Sequence, residues 1–167
     1  MHEAGGRGFG GPVFLLLLII GSYFSSREKF KLLKAINMSE TKKILIVDDE
    51  AVLLNLLSSK LHQHGFNVVE ARDGEEGLQK ALEEHPDLIL LDIIMPKMDG
   101  ITVLKKLRQH DWGKAVPVIV LSNLNTAESV EKSLANGAYD YLVKIDYTLD
   151  DLVEIVKKRL GKEVVGN

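Results

Sequence analysis

Three aspartates follow two strongly apolar stretches of the sequence. Asp48 and Asp49 come directly after the run Ile44–Val47. Asp92 comes directly after the run Leu88–Leu91. Short apolar runs bounded by turn residues are typical of strands that are buried on both faces of a parallel sheet. Because a carboxylate in such a place is costly unless it faces a cleft or binds a cation, the pattern predicts one shared acidic pocket.

The three carboxylates predict a cation, because neighbouring carboxylates cannot all stay ionised without one. Oxygen-only ligands suit Mg²⁺, which takes one or two carboxylates and keeps several waters. Asp92 would act as the nucleophile in a phosphoryl transfer, a reaction that needs mainly positioning and charge neutralisation. One alternative stays open, in which Asp49 only caps a helix that begins near Glu50.

Two further polar residues follow predicted strands. Ser122 comes after Pro117–Leu121, and Lys144 comes after Tyr139–Val143. In a parallel sheet we expect both to lie at the same edge as Asp92. Lys144 would neutralise developing charge there together with Mg²⁺, and Ser122 would donate a hydrogen bond to a phosphoryl oxygen. Taken singly, each is also an ordinary loop or surface residue.

The order of elements positions these residues. Apolar periodicity and turn residues predict five strands that alternate with five helices. The predicted strands are Ile44–Val47, Asn67–Ala71, Asp87–Leu91, Pro117–Leu121 and Tyr139–Val143; the predicted helices are Glu50–His64, Gly74–Glu84, Ile101–His110, Thr126–Ala135 and Leu149–Leu160. We expect Asp111–Gly113 to end the third helix and Trp112 to cover a helix end. The alternation predicts a doubly wound α/β fold with a parallel sheet, and the lack of a glycine-rich dinucleotide loop favours strand order 2-1-3-4-5.

Composition restricts the class of protein. The 167 residues suffice for one domain with a core plus an appendage. No cysteine is present, which excludes disulfides and thiolate metal sites and favours the cytoplasm. From residue 38 onward, sixteen Lys and Arg residues face twenty-two Asp and Glu residues without a basic stripe. We therefore expect no direct binding to nucleic acid.

Residues 1–37 differ from the rest and are expected to form an N-terminal extension outside the core. The apolar run Val13–Ile20 is short against the roughly 20 residues that span a bilayer, and Arg27–Lys34 is basic. We interpret this segment as the product of a start codon assigned too early, with the domain occupying residues 38–167. The alternative is a weak membrane anchor, which would tether the domain to a membrane.

Four motifs together carry a resemblance. The segments IVDDE, LLDIIMPKMDG, VIVLS and GAYDYLVK resemble the receiver domain of two-component response regulators, in particular single-domain regulators of the chemotaxis type. The resemblance runs from Lys42 to about Leu160 and implies a flavodoxin-like (βα)5 fold. It further implies that Asp92 is the phosphoacceptor. The ligands of Mg²⁺ would be Asp48, Asp49, Asp92 and the backbone carbonyl of Ile94. Ser122 and Lys144 would bind the phosphoryl group, and Tyr141 would change rotamer with Ser122.

The resemblance also implies partners. The phosphoryl group would come from a sensor histidine kinase or a histidine phosphotransfer protein. A downstream protein would bind the face formed by the fourth predicted helix, strand five and the last helix. Because the sequence ends about seven residues after that helix, we expect output through such a partner, through a dimer, or by phosphoryl relay to another histidine. We expect no enzyme activity beyond self-phosphorylation and self-dephosphorylation.

One residue departs from the family pattern. Ile145 follows Lys144 where the family usually has proline, often after a cis bond. Because a cis bond to a non-proline residue costs about 3–4 kcal/mol, we predict that this bond is trans. Ile94 is bulky and apolar, and we expect it to hinder water and slow hydrolysis of the phosphoryl group.

Two other classes share parts of this pattern. A Mg²⁺-dependent phosphohydrolase with an aspartyl-phosphate intermediate needs a second acid two residues after the nucleophile, where this chain has Ile94. A flavodoxin-like electron carrier needs a phosphate loop rich in Ser, Thr and Gly after the first strand. Here that loop opens with Asp-Asp-Glu, which would repel a flavin phosphate.

Overall fold

Five parallel strands form the centre of the structure, a computed structural model that describes Ser25 and residues 41–161. The strands are β1 Lys43–Val47, β2 Asn67–Ala71, β3 Leu88–Leu91, β4 Val118–Ser122 and β5 Asp140–Val143. They pair in the order β2-β1-β3-β4-β5. The doubly wound order predicted from the sequence is therefore confirmed. The predictions about residues 1–37 lie outside the described residues, apart from Ser25.

Six α-helices connect or follow the strands within the described residues. They are α1 Ala51–Gln63, α2 Gly74–Glu84, α3 Gly100–Leu107, α4 Asp111–Ala115, α5 Ala127–Ala135 and α6 Leu149–Arg159. A short 3₁₀ helix, Lys144–Asp146, lies between β5 and α6. None of the helices in this part of the chain combines the length and apolar character that crossing a membrane requires.

The helix α4 was missed by the sequence prediction. Asp111–Gly113 does not simply end the preceding helix, because α3 stops at Leu107 and a separate turn of helix begins after His110. Gly113 packs so closely on the Leu107 carbonyl that an added Cβ would lie 2.0 Å from its oxygen. A single turn is too short for apolar periodicity to reveal it. The edge-to-face contact between Trp112 and His85, with ring centroids 4.7 Å apart, confirms that Trp112 covers the end of α2.

The core consists of two apolar layers, one on each face of the sheet. Alternate residues of a strand point to opposite faces, so Ile44 and Ile46 pack with α1 and α6, while Leu45 and Val47 pack with α2 and α3. Each fully buried side chain of this size stabilises the fold by about 1.5–3 kcal/mol. This double cover buries both faces of the sheet, while its edge at the carboxyl ends of the strands carries polar side chains.

Most helices of the fold begin at a side chain that accepts a backbone N–H group. Asp73, Asp99, Thr126 and Thr148 play this part for α2, α3, α5 and α6. The first helix is different, because Glu50 occupies its N-cap position without a side-chain capping bond. Asp49 therefore is not the cap of α1, and the side chain of Glu50 is available for other contacts.

Candidate functional site

The backbone of the sheet places Asp48 and Asp92 next to each other. Val47 and Leu91 are paired residues of β1 and β3, so the aspartates follow the same register position. The pairing continues past the strands, since the Asp92 N–H donates to the Val47 carbonyl at 2.9 Å. On the other side, the Asp48 N–H donates to the Ala71 carbonyl at 3.0 Å. The backbones of both aspartates are thus held by main-chain hydrogen bonds at one edge of the sheet.

The three aspartates predicted as metal ligands form a cluster. One carboxylate oxygen from each of Asp48, Asp49 and Asp92 lies within 4.8 Å of the others. Asp48 is 3% exposed and Asp92 is 5% exposed, whereas Asp49 is exposed to solvent. Two buried carboxylates and one exposed one, all offering oxygen, fit a hard divalent cation such as Mg²⁺ that keeps part of its water shell.

Lys144 joins this cluster from the end of β5. Its Nζ atom lies 2.8 Å from Asp48 Oδ2 and 2.9 Å from Asp92 Oδ2. It also lies 2.9 Å from Glu50 Oε1. The lysine side chain is 7% exposed. Burial by itself would lower the pKa of Lys144, but hydrogen bonds to Asp48, Asp92 and Glu50 raise it above its usual value, so the side chain is a fixed cation.

The segment that carries Lys144 has its own local geometry. Lys144 is the first residue of the 3₁₀ helix that follows β5. No peptide bond in the described part of the chain is cis, so the predicted trans bond between Lys144 and Ile145 is confirmed. Ile145 is one of the most exposed apolar residues of the described chain. The lysine therefore reaches the acidic cluster without the proline that is usual in the family.

The oxygens of Asp92 and Asp48 that do not face Lys144 accept backbone hydrogen bonds. Asp92 Oδ1 accepts from the Ile93 N–H at 2.6 Å and more weakly from the Ile94 N–H at 3.4 Å. Asp48 Oδ1 accepts from the Glu50 N–H at 2.9 Å. Burial raises the pKa of Asp48, although the contacts to Lys144 and the Glu50 amide act in the opposite direction. A bound cation would offset that burial.

Ser122 and Tyr141 lie on the neighbouring strands. Ser122 is fully buried at the end of β4, and its Oγ accepts from the Leu124 N–H at 3.4 Å. The Tyr141 hydroxyl donates to the Leu124 carbonyl at 2.6 Å. Burial raises the pKa of Tyr141, while a side-chain hydrogen bond with Ser122 lowers it. Both residues therefore contact the loop between β4 and α5, and the predicted coupling of their rotamers stays a prediction.

The loop after Asp92 packs against the start of α2 and α3. A Cβ on Gly100 would lie 2.0 Å from the Asp92 carbonyl oxygen, and one on Gly74 would lie 2.0 Å from the Met98 carbonyl oxygen. The loop is therefore held close to its neighbours by main-chain contact. Ile94 stands on this loop with its side chain 57% exposed. The predicted use of its backbone carbonyl as a metal ligand stays a prediction.

An open pocket of about 230 Å³ connects these groups. It is lined by Asp49, Glu50, Asp92, Ile94, Ser122 and Asn123. Two of these residues, Glu50 and Asn123, were not predicted as site residues from the sequence. Glu50 follows the paired aspartates directly, but a glutamate at the start of a helix is usually a solvated first-turn acid, and this ordinary interpretation concealed its contact with Lys144.

Comparison with known proteins agrees with this geometry. The family model for the response regulator receiver domain matches residues 44–157. The alkaline phosphatase synthesis transcriptional regulatory protein PhoP of Bacillus subtilis is 45% identical over 103 residues, which are 62% of this chain and 42% of that protein. The chain spans half or less of the length of the curated relatives that we compared.

Solved structures give the same result. A CheY-like response regulator receiver domain protein from Methanospirillum hungatei has a TM-score of 0.69 and 32% identity, covering 74% of this chain and 96% of that chain. A chain of the CheX-CheY-BeF3-Mg complex from Borrelia burgdorferi has a TM-score of 0.64 and 34% identity, covering 70% of this chain and 87% of that chain. With its sheet order, its acidic cluster and these matches, the chain belongs to the receiver domain family of two-component response regulators.

Proposed function

We propose that this chain is a phosphorylation-dependent switch in which Asp92 accepts a phosphoryl group from a histidine kinase or a histidine phosphotransfer protein. The observation that carries the proposal is the position of Asp92 Oδ2, 2.9 Å from the Lys144 ammonium and beside Asp48 and Asp49. This arrangement places the Asp92 side chain between a cation on one side and an open pocket on the other, where a phosphoryl group can approach it.

In the proposed transfer, one bond to phosphorus forms as another breaks. A carboxylate oxygen of Asp92 forms a bond to phosphorus while the bond from phosphorus to the donor's imidazole nitrogen breaks. The imidazole takes a proton from water and leaves as a neutral group. Lys144 neutralises charge on the phosphoryl oxygens as they approach. Ser122 donates a hydrogen bond to one of these oxygens. These roles need positioning and charge, which dominate phosphoryl transfer.

The same residues fit a divalent cation. Asp48, Asp49 and Asp92, with the Ile94 carbonyl, would hold Mg²⁺. When bound, Mg²⁺ supplies positive charge that compensates the carboxylates and the incoming phosphoryl group. The support for this assignment is the clustering of three carboxylate oxygens within 4.8 Å, one of them on an exposed side chain. The similar complex from Borrelia burgdorferi contains Mg²⁺ and BeF3, which agrees with this assignment.

The output of the switch would leave through the face formed by α5, β5 and α6. A phosphoryl group adds negative charge beside the end of β4 and draws Ser122 and its loop toward it. Tyr141 bonds to the same loop through the Leu124 carbonyl and would follow the change. The two arrangements form an equilibrium that phosphorylation biases. We propose a protein partner on this face, and no direct contact of residues 38–167 with nucleic acid, because acids outnumber bases there.

We also propose what class of protein this is and where in the cell it acts. We propose a phosphoacceptor whose only chemistry is its own phosphorylation and dephosphorylation, rather than an enzyme with a separate substrate. Ile94, at the position where a phosphohydrolase of the aspartyl-phosphate type has its second acid, supports this view. We propose the cytoplasm as its location, because a cysteine-free signalling domain needs no oxidising compartment.

The test is Mg²⁺-dependent labelling by a small phosphodonor. We expect the parent protein to incorporate one phosphoryl group and Asp92→Asn to incorporate none. Asp111→Asn serves as the matched control, because Asp111 is an exposed aspartate paired with a lysine outside the site. Equal labelling of Asp92→Asn and the parent would refute the assignment, as would labelling that continues after Mg²⁺ is removed with a chelator.

A further inference from the structure

We propose that Glu50 is a second switch residue, which holds Lys144 while Asp92 is unmodified and releases it when Asp92 carries a phosphoryl group. This inference rests on the proposed function of Asp92 and adds a residue to it. It explains why a glutamate at the N-cap of α1 points its side chain into the pocket instead of capping the helix.

The Lys144 ammonium has as many N–H donors as it has carboxylate partners. An ammonium group has three N–H donors, and three carboxylates surround this one, at 2.8 Å from Asp48 and 2.9 Å from both Glu50 and Asp92. A phosphoryl group on Asp92 brings new oxygens to the same ammonium. Because all three donors already have partners, and the phosphoryl group offers more oxygens than the single Asp92 oxygen that it replaces, a further contact must give way.

The three carboxylates around Lys144 differ in their exposure to solvent. The Asp48 and Asp92 side chains are 4% and 5% exposed, so neither can move into water without leaving a buried cation unbalanced. The Glu50 side chain is 52% exposed and can exchange its lysine for water. Ion pairs of such half-exposed groups contribute little to stability. Glu50 is therefore the partner that Lys144 gives up at the lowest cost.

Glu50 also contacts the loop between β4 and α5, which is expected to change shape on phosphorylation. Its Oε1 atom, which accepts from Lys144, also accepts from Asn123 Nδ2 at 3.5 Å, the outer limit for a hydrogen bond. Asn123 follows Ser122 and lines the same pocket. When repulsion from the phosphoryl group drives Glu50 outward, Asn123 loses this oxygen. The loop between β4 and α5 is thus released through Glu50 as well as pulled through Ser122.

The inference predicts how a neutral side chain at this position changes binding. Beryllofluoride is a stable substitute for a phosphoryl group, and its half-saturating concentration can be followed by NMR at saturating Mg²⁺. We expect Glu50→Gln to bind it about two- to fivefold more tightly than the parent, because a competing half-exposed ion pair has been weakened. Glu84→Gln is the control, since Glu84 is also half-exposed, lies 2.7 Å from a lysine, Lys43, and sits at the opposite edge of the sheet.

A spectroscopic signature separates the switch role from a purely structural one. In the parent, saturation with beryllofluoride should shift the side-chain amide resonances of Asn123. In Glu50→Ala, these resonances should already lie near the saturated position before beryllofluoride is added. Urea unfolding of both variants, compared with Glu84→Gln, measures any separate effect on stability.

Several results of these binding and NMR experiments would overturn the role of Glu50. Unchanged or weaker binding by Glu50→Gln overturns the inference, and weaker binding would assign Glu50 to the cation instead. Asn123 amides that shift as far in Glu50→Ala as in the parent also overturn it. If the parent itself binds no beryllofluoride and takes no phosphoryl label, the proposed function of Asp92 fails, and this failure is separate from that of Glu50.

Discussion

The Lys97 ammonium lies 2.6 Å from the Asp73 carboxylate, and this ion pair joins the loop after β3 to the N-cap of α2. Lys97 has a φ of 64°, a left-handed conformation that side chains other than glycine adopt at a cost of about 1–2 kcal/mol. The loop that carries Ile94 therefore contains both this ion pair and a strained backbone at Lys97.

Comparison of Lys97→Gly with Lys97→Ala isolates that strain, because both variants lose the ion pair. We expect the glycine variant to be the more stable of the two by about 1 kcal/mol in urea unfolding. The same two substituents at Asn55, an exposed residue in the interior of α1, should give the opposite order by about the same amount. An alanine variant at least as stable as the glycine variant at position 97 would contradict the assigned backbone conformation.

The pH dependence of stability should include a contribution from Asp87. Its carboxylate accepts from the Lys42 ammonium at 2.8 Å and from the Lys43 N–H at 2.8 Å. Burial raises the pKa of Asp87, but the two hydrogen bonds outweigh it, so the pKa lies below its usual 3.8. A carboxylate with a lowered pKa stabilises the folded state above its unfolded pKa, and this stabilisation is lost as the pH falls through the folded pKa.

We therefore expect Asp87→Asn to be less stable than the parent by about 1–2 kcal/mol at neutral pH. The difference in free energy of unfolding should shrink as the pH falls below about 4. Chemical denaturation at a series of pH values measures it, with Asp111→Asn as an exposed control whose effect should be small at every pH. A difference that stays constant down to low pH would show that the ionised form of Asp87 is not what matters.

Close contact between Gly100 and the backbone of Asp92 should make the site sensitive to one added methyl group. The Cβ of Gly100→Ala would lie 2.0 Å from the Asp92 carbonyl oxygen. Gly113→Ala is matched to it, since its Cβ would lie 2.0 Å from the Leu107 carbonyl oxygen, away from the site. We expect each variant to lose about 1–3 kcal/mol of stability.

Only Gly100→Ala should also slow phosphoryl labelling, by about tenfold or more, because it displaces the backbone that aims Asp92. Labelling rates are compared at a temperature where both proteins are folded. Equal labelling rates for the two variants would mean that the contact supports the fold alone.

Ile94 should affect how long the phosphoryl group persists. Its half-exposed apolar side chain lines the pocket in front of Asp92. A polar residue there can bind a water molecule, so we expect Ile94→Asn to lose the phosphoryl group several-fold faster than the parent. Leu134→Asn is the control, because Leu134 is also about half-exposed but lies on α5 and does not line this pocket. The decay of labelled protein measures the rate, and an unchanged rate for Ile94→Asn would remove Ile94 from this role.

Much of the fold could be predicted from the sequence because its signals are local and repeated. Apolar runs such as Leu88–Leu91 and periodic helices such as Ala51–Gln63 each bury one defined face, and their alternation leaves few possible topologies. The acidic cluster could be predicted because residues that follow parallel strands meet at one edge. What the sequence could not reveal depends on single contacts, such as the pairing of Glu50 with Lys144 and the left-handed backbone of Lys97.

The most direct measurement is the chemical identification of the phosphorylated residue. Borohydride reduces an aspartyl phosphate to homoserine, so a protein labelled by a small phosphodonor with Mg²⁺ can be reduced, digested and mapped by mass spectrometry. The account predicts homoserine at position 92 and unmodified aspartate at positions 48 and 49. Homoserine at either of those positions, or at none of the three in a protein that carries the label, would contradict it.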